Sequence, residues 1–144
     1  MRKLLSLITV LCCLMATTTW ASVEQSRETD THSIYYNVLP TSALPEAMAR
    51  AYGITRSETR VMLNIAVHRK DGDGAVPVEA EIEAQAVNLP GQLKRFRMRK
   101  LSEDEAIYYI GEIGISRGEN LNFELRITPQ GEDDAEVIRF RRTF

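Results

Sequence analysis

The chain has 144 residues, 44% of them hydrophobic and 26% charged, with a formal net charge of −2. That length suits one globular domain with a sizeable core, and the mildly acidic balance argues against a polybasic surface for nucleic acid or anionic lipid. Two cysteines and two histidines leave little material for thiolate or metal chemistry.

Residues 1–21 open with Arg2-Lys3, run apolar from Leu4 to Ala16, and finish Thr19-Trp20-Ala21 with small residues three and one before the end. This is the pattern of a secretory signal peptide cut between Ala21 and Ser22. The apolar run falls short of the ~20 residues needed to span a bilayer, so no membrane association is expected after cleavage. Both cysteines, Cys12 and Cys13, and the lone Trp20 lie in the removed segment, so the exported chain is expected to carry no disulfide. Loss of Arg2 and Lys3 leaves 16 basic against 20 acidic residues, a formal charge of −4. Residues 22–31, SVEQSRETDT, are polar without apolar period and predict a flexible lead-in. Residues 32–144 then form a single domain.

The stretch from Tyr35 to Asn64 departs from plain alternation. A strand over 34–38 is followed by Pro40 and Pro45, which break any ladder because proline lacks an amide donor. Helix formers fill 46–52, Pro45 suits a first helical position, and Gly53 suits a left-handed stop. The predicted two-turn helix is too short to be stable alone and must pack on something larger. Met48 and Tyr52 share one face, and Glu46 and Arg50 form a favourable i,i+4 pair.

From Val61 the period is two. Val61, Leu63, Ile65 and Val67 predict a half-buried strand, and Asp71-Gly-Asp-Gly74 a turn. Residues 76–86 and 94–99 read as the next two strands, the first with Pro77 near its start. A hairpin between them would set Glu79, Glu81 and Glu83 against Arg95, Arg97 and Arg99 as a charge ladder. Residues 106–115 are apolar on both parities and predict a strand covered on both sides for part of its length, with Gly111 and Gly114 marking a bulge or a close backbone approach, the latter where the helix packs. The last two strands hold Leu121 to Ile127, and Ile138 with Phe140, which requires Glu124 opposite Arg139 or Arg141. About seven antiparallel strands with one short helix after the first predict an all-β, immunoglobulin-like β-sandwich, with a closed barrel as the alternative.

Chemistry is sparse. His32 and His68 lack the companions a zinc or copper site needs. The Asp71 turn begins like a calcium loop, but its sixth position is Val76 and its twelfth Ile82. No nucleophile elbow, phosphate loop or dinucleotide fingerprint is present, so neither enzyme activity nor a cofactor is expected. The remaining candidates are Tyr36, Asn37, Glu46, Tyr52, Arg56, Ser57 and Asn64, of which Asn37, Tyr52 and Arg56 would line a recognition surface beside the helix. Glu46, Arg50 and Arg60 are expected to act structurally, with Arg56, as staples of the helix and its exit.

Tyr36-Asn37, Leu44-Pro45-Glu46, residues 51–57 (AYGITRS), Leu63-Asn64-Ile65, residues 88–92 (NLPGQ) and residues 106–109 (AIYY) together resemble a secreted proteobacterial family, domain of unknown function 4426. The resemblance spans nearly all of the exported chain and implies a small periplasmic all-β protein of Gram-negative bacteria. It brings no catalytic residue, cofactor or ligand. Two readings follow: a noncatalytic binding or accessory module that meets a protein partner, for instance by strand addition at an open edge, or a small-ligand carrier or hydrolase with a pocket between the helix and the sheet.

Overall fold

The computed structural model describes residues 25–144; the expected signal segment, the expected cut between Ala21 and Ser22, and both cysteines lie outside them. Among the described residues two antiparallel sheets make an immunoglobulin-like sandwich. The first sheet runs β1 (Gln25–Glu28), β2 (His32–Pro40), β3 (Arg60–Asp71), β8 (Ala106–Gly114) and β7 (Arg99–Glu103), with β4 (Gly74–Pro77) paired to the far end of β3. The second runs β10 (Glu136–Thr143), β9 (Asn120–Pro129), β5 (Ala80–Asn88) and β6 (Leu93–Arg95). The helix α1 (Glu46–Ala51) lies in the connection between β2 and β3.

The two-residue period decides which face is core. Val61, Leu63, Ile65 and Val67 are fully buried and meet Leu121, Phe123, Leu125 and Ile127 in one cluster. Burying the four β3 side chains contributes about 6–12 kcal/mol. Phe123 stacks on Phe140 with ring centroids 4.7 Å apart, and Tyr36 closes on Phe140 at 5.3 Å.

Four expectations are corrected. Gln25–Glu28, assigned to a flexible lead-in, form an edge strand paired with Ser33–Tyr36. Main-chain pairing holds that segment without apolar side chains, which is why polarity alone misjudges it. Two predicted strands are each split by a passage between sheets, one at Val78 and Glu79 and the other at Phe96 to Met98. The glutamate–arginine ladder does not form. Its register is present, with Gln85 opposite Arg95 and Ala86 opposite Lys94, but β6 stops at Arg95. The Phe96 ring is buried, and the chain crosses to the first sheet before Arg97 and Arg99 can meet the glutamates. Glu83 instead pairs with Arg126 at 3.8 Å and Glu79 with Lys100 at 2.7 Å. Glu124 does sit opposite Arg139, at 2.7 Å.

Gly111 marks a close approach, but to this passage and not to the helix. A Cβ there would lie 2.7 Å from Met98 Sδ and 3.2 Å from both the Arg97 carbonyl oxygen and Phe96 Cβ.

Candidate functional site

The connection from Thr41 to Thr59 is built from local rules. Pro45 stands just before α1 and Gly53 just after it, at φ 63°. The Ile54 amide donates to the Ala49 carbonyl at 2.8 Å and the Gly53 amide to Arg50 at 3.2 Å, a Schellman closure with Ile54 packed on Ala49. Thr41 is fully buried and ties the two ends of the excursion together. Its Oγ1 donates to the Thr55 carbonyl at 2.9 Å and accepts from the Ser57 amide at 2.9 Å. Nothing in the sequence pattern marks Thr41, because its value is set by residues fourteen and sixteen positions away.

This excursion folds over the outer face of the first sheet. Leu44, Ala49 and Ile54 bury Met62 of β3 and Ile110 of β8 in a second, smaller apolar cluster. The two-sided apolar pattern of β8 thus has a cause: one face meets the sandwich core and the other meets α1.

Coverage is partial, and a cleft of about 380 Å³ remains between α1 and the sheet. Its floor is Met62, Ile110 and Leu101, its helix wall is Met48 and Tyr52, and its sheet wall carries Asn64, Tyr108 and Glu103. Met48 stays 42% exposed despite its size, so the mouth has an apolar lip. Burial, then the adjacent Glu103 carboxylate, pushes the Tyr52 phenol above its ordinary value, leaving it a neutral donor near neutral pH. Asn64 faces Asn37 across β3 and β2, and the Oδ1 atom of each is buried with no hydrogen-bond partner in the protein. Such an atom costs ~1–3 kcal/mol. Turning one amide over would let an Nδ2 donate to the facing Oδ1.

Of the predicted recognition residues, Tyr52 lines the cleft and Asn37 stands beside it through Asn64. Arg56 is not in the lining. Its Nη2 donates to the Ser42 carbonyl at 2.8 Å, joining the turn Thr41–Ala43 to the helix exit. Arg60 reaches Glu112 across β8 at 3.3 Å. Glu46 and Arg50 pair at 2.8 Å on the solvent side of α1, both about three-quarters exposed, so they brace the helix itself and do not staple it to the sheet. Arg99 supplies that link from below, donating to the Tyr52 carbonyl at the end of α1. Sequence reading missed Met62, Leu101, Glu103 and Tyr108 as cleft residues. The helical spacing of Met48 and Tyr52 was the available signal.

Other chemistry is not assembled. Among the described residues no three His, Cys, Asp or Glu side chains are placed to share a metal ion, and no helix is long and apolar enough to cross a membrane. His32 is buried, with Nδ1 2.9 Å from Thr31 Oγ1, and His68 lies edge-on to Tyr35 at 5.3 Å.

Comparison with known proteins gives the chain its relatives. A DUF4426 family protein from Pseudomonas aeruginosa PAO1 is 30% identical, with a TM-score of 0.70 over 84% of this chain and 94% of that one. FetP from uropathogenic Escherichia coli strain F11 shares the fold at 11% identity in a copper-bound variant, with a TM-score of 0.56 over 83% of this chain and 93% of that one. The same protein as isolated is 12% identical, at the same TM-score, over 83% of this chain and 92% of that one. No curated protein matches. Residues 26–144 match the family described as Domain of unknown function (DUF4426), and the chain belongs to that family.

Proposed function

We propose that this protein is a noncatalytic binding module, exported to the periplasm, that captures its ligand in the cleft between α1 and the first sheet. The observation that carries the reading is the composition of that cleft: an apolar floor of Met62, Ile110 and Leu101 with a few polar groups, Tyr52, Asn64, Tyr108 and Glu103, converging from the walls. That is the build of a ligand site, and its size sits at the small end of such sites. No nucleophile with an adjacent base accompanies it, so binding without turnover is the economical role.

A partner strand has less to engage. β1, β6 and β7 are short edges of four, three and five residues. The long edge strand β10 carries Arg139, Arg141 and Arg142, and charge along an edge opposes strand addition. The cleft therefore stands ahead of the edges as the contact site.

Amide shift mapping on the form beginning at Ser22, against a collection of small amphipathic compounds, tests the reading. Binders should perturb 48–53, Asn64, 101–103 and 108–110 together. Hits that cluster on the outer face of β5 and β9, or a collection with no hits, would overturn it. Export has its own check: protein recovered from the periplasm should show tyrosine but no tryptophan fluorescence, because Trp20 precedes the cut.

A further inference from the structure

Resting on that reading of the cleft, we infer that its ligand is a small alkylammonium, a cationic head on an apolar stem. Among the lining residues Glu103 is the single formally charged group, and neither lysine nor arginine is present. Arg99, Lys100 and Glu112 nearby are already engaged, and the two residues that follow Glu103, Asp104 and Glu105, add further negative charge. Arg99, on the same face of β7, donates to the Tyr52 carbonyl. Lys100, on the opposite face, pairs with Glu79 at 2.7 Å, and Glu112, beside Met62, pairs with Arg60 at 3.3 Å. Glu103 has no cationic partner within 4.0 Å among the described residues, whereas most other outward glutamates of the two sheets have one. A carboxylate flanked by the Tyr52 hydroxyl but by no cation, at the mouth of an apolar cleft, is complementary to a positive head.

The other walls agree. Tyr52 and Tyr108 are both in the lining, and an aromatic ring quadrupole attracts an ammonium. Met48 and Met62 supply polarizable sulfur that adapts to an alkyl stem. An anionic head would meet Glu103 with nothing to offset it. The cleft's volume of about 380 Å³ fits a small molecule better than a folded partner's surface.

The exported form has three methionines, Met48, Met62 and Met98, and the third belongs to the passage between sheets, with its sulfur against Gly111. Methyl-labelled methionine therefore reports the site with a built-in control. Hexylammonium, hexanol and hexanoate would be titrated in turn. The expected result is movement of the Met48 and Met62 signals, with Met98 still, and affinity in the order ammonium, alcohol, carboxylate. Glu103→Gln should weaken hexylammonium about tenfold and leave hexanol unchanged. Because that variant could fail to fold, the salt dependence of the native protein gives a second measure: raising sodium chloride should weaken hexylammonium and not hexanol. Equal affinity for ammonium and alcohol, or a preference for hexanoate, overturns the ammonium inference and leaves the cleft as a binding site. No movement of Met48 or Met62 with any probe overturns both.

Discussion

Glu119 offers the sharpest test of how the sandwich end is held. Its carboxylate accepts from Lys94 Nζ at 2.7 Å, from Asn88 Nδ2 at 2.8 Å and from the Ser116 amide at 2.8 Å. The Glu119 and Lys94 side chains are only 10% and 15% exposed, so this is not a solvated surface pair. Glu119→Gln keeps one acceptor oxygen, removes the charge, and points an amide nitrogen at a cation or at another donor. Loss of a charge-assisted bond costs ~1.5–3 kcal/mol, and Lys94 is left with the Gly114 carbonyl at 2.9 Å. We expect a loss of about 2–3 kcal/mol, equivalent to roughly 8–12 °C in a domain of this size. Urea unfolding followed by far-ultraviolet circular dichroism measures it. Burial alone would raise the Glu119 carboxyl, but the hydrogen bonds from Lys94, Asn88 and Ser116 outweigh it and hold the group below the ordinary 4.5. A depressed carboxyl stabilises the fold fully above its unfolded value and loses that contribution as pH falls through the folded one. The gap between native and Glu119→Gln should thus be constant above about pH 4.5 and shrink below it. A gap under about 0.5 kcal/mol at pH 7, the scale of an ordinary surface change, or one that widens in acid, would refute the account.

Gly111→Ala should destabilise by about 1–3 kcal/mol, as overpacking does, and in a double-mutant cycle with Met98→Ala the two costs should fall short of their sum; strict additivity would mean the 2.7 Å contact with Met98 Sδ does not matter. Thr41→Val removes the hydrogen bonds of the buried Thr41 hydroxyl to the Thr55 carbonyl and from the half-buried Ser57 amide, ~1 kcal/mol each, read as a lowered unfolding midpoint together with shifts in α1; an unmoved midpoint would show that the ends of the excursion are held some other way. Arg56→Ala removes one bond from an exposed side chain, to Ser42, and should change stability by less than about 1 kcal/mol; a larger loss would mark Arg56 as the anchor of the helix exit.

Much of the fold was legible because the period of two survives wherever one face is buried. Leu63 and Ile65 announce β3, Phe123 and Leu125 announce β9, and the need to bury Ile138 and Phe140 narrows the partner of Glu124 to Arg139 or Arg141, of which Arg139 is the one opposite it. Gly53 likewise named the end of α1. What failed did so where a strand changes partner. Nothing local tells Val76 and Ile82 that they belong to different sheets, since both fit the same alternation, and the passage is decided by packing across the sandwich. The same blindness hid the cleft. Leu101, Glu103 and Tyr108 come from β7 and β8, and their meeting with Met48 depends on pairing Leu101 with Tyr108, a long-range fact.

The cleft follows from a mismatch of sizes. β2 and β3 are antiparallel neighbours that a turn of a few residues could join, yet the chain spends residues 41–59 on the connection. Connections positioned by a rigid scaffold are common places for binding residues. A helix of six residues is about 9 Å long. The face from β2 across β3 and β8 to β7 spans three strand spacings, about 14 Å. One short helix can bury Met62 and Ile110 but cannot also roof Asn64, Tyr108 and Glu103. Were the uncovered strip only a solvated surface, charged side chains would serve there, as they do on the outer face of the second sheet with Glu83, Arg126 and Arg139. Were it only core, the gap would be filled by larger apolar groups. It holds rings, sulfurs, an amide and a carboxylate with no cation within 4.0 Å among the described residues instead, the composition on which the proposed ligand site rests.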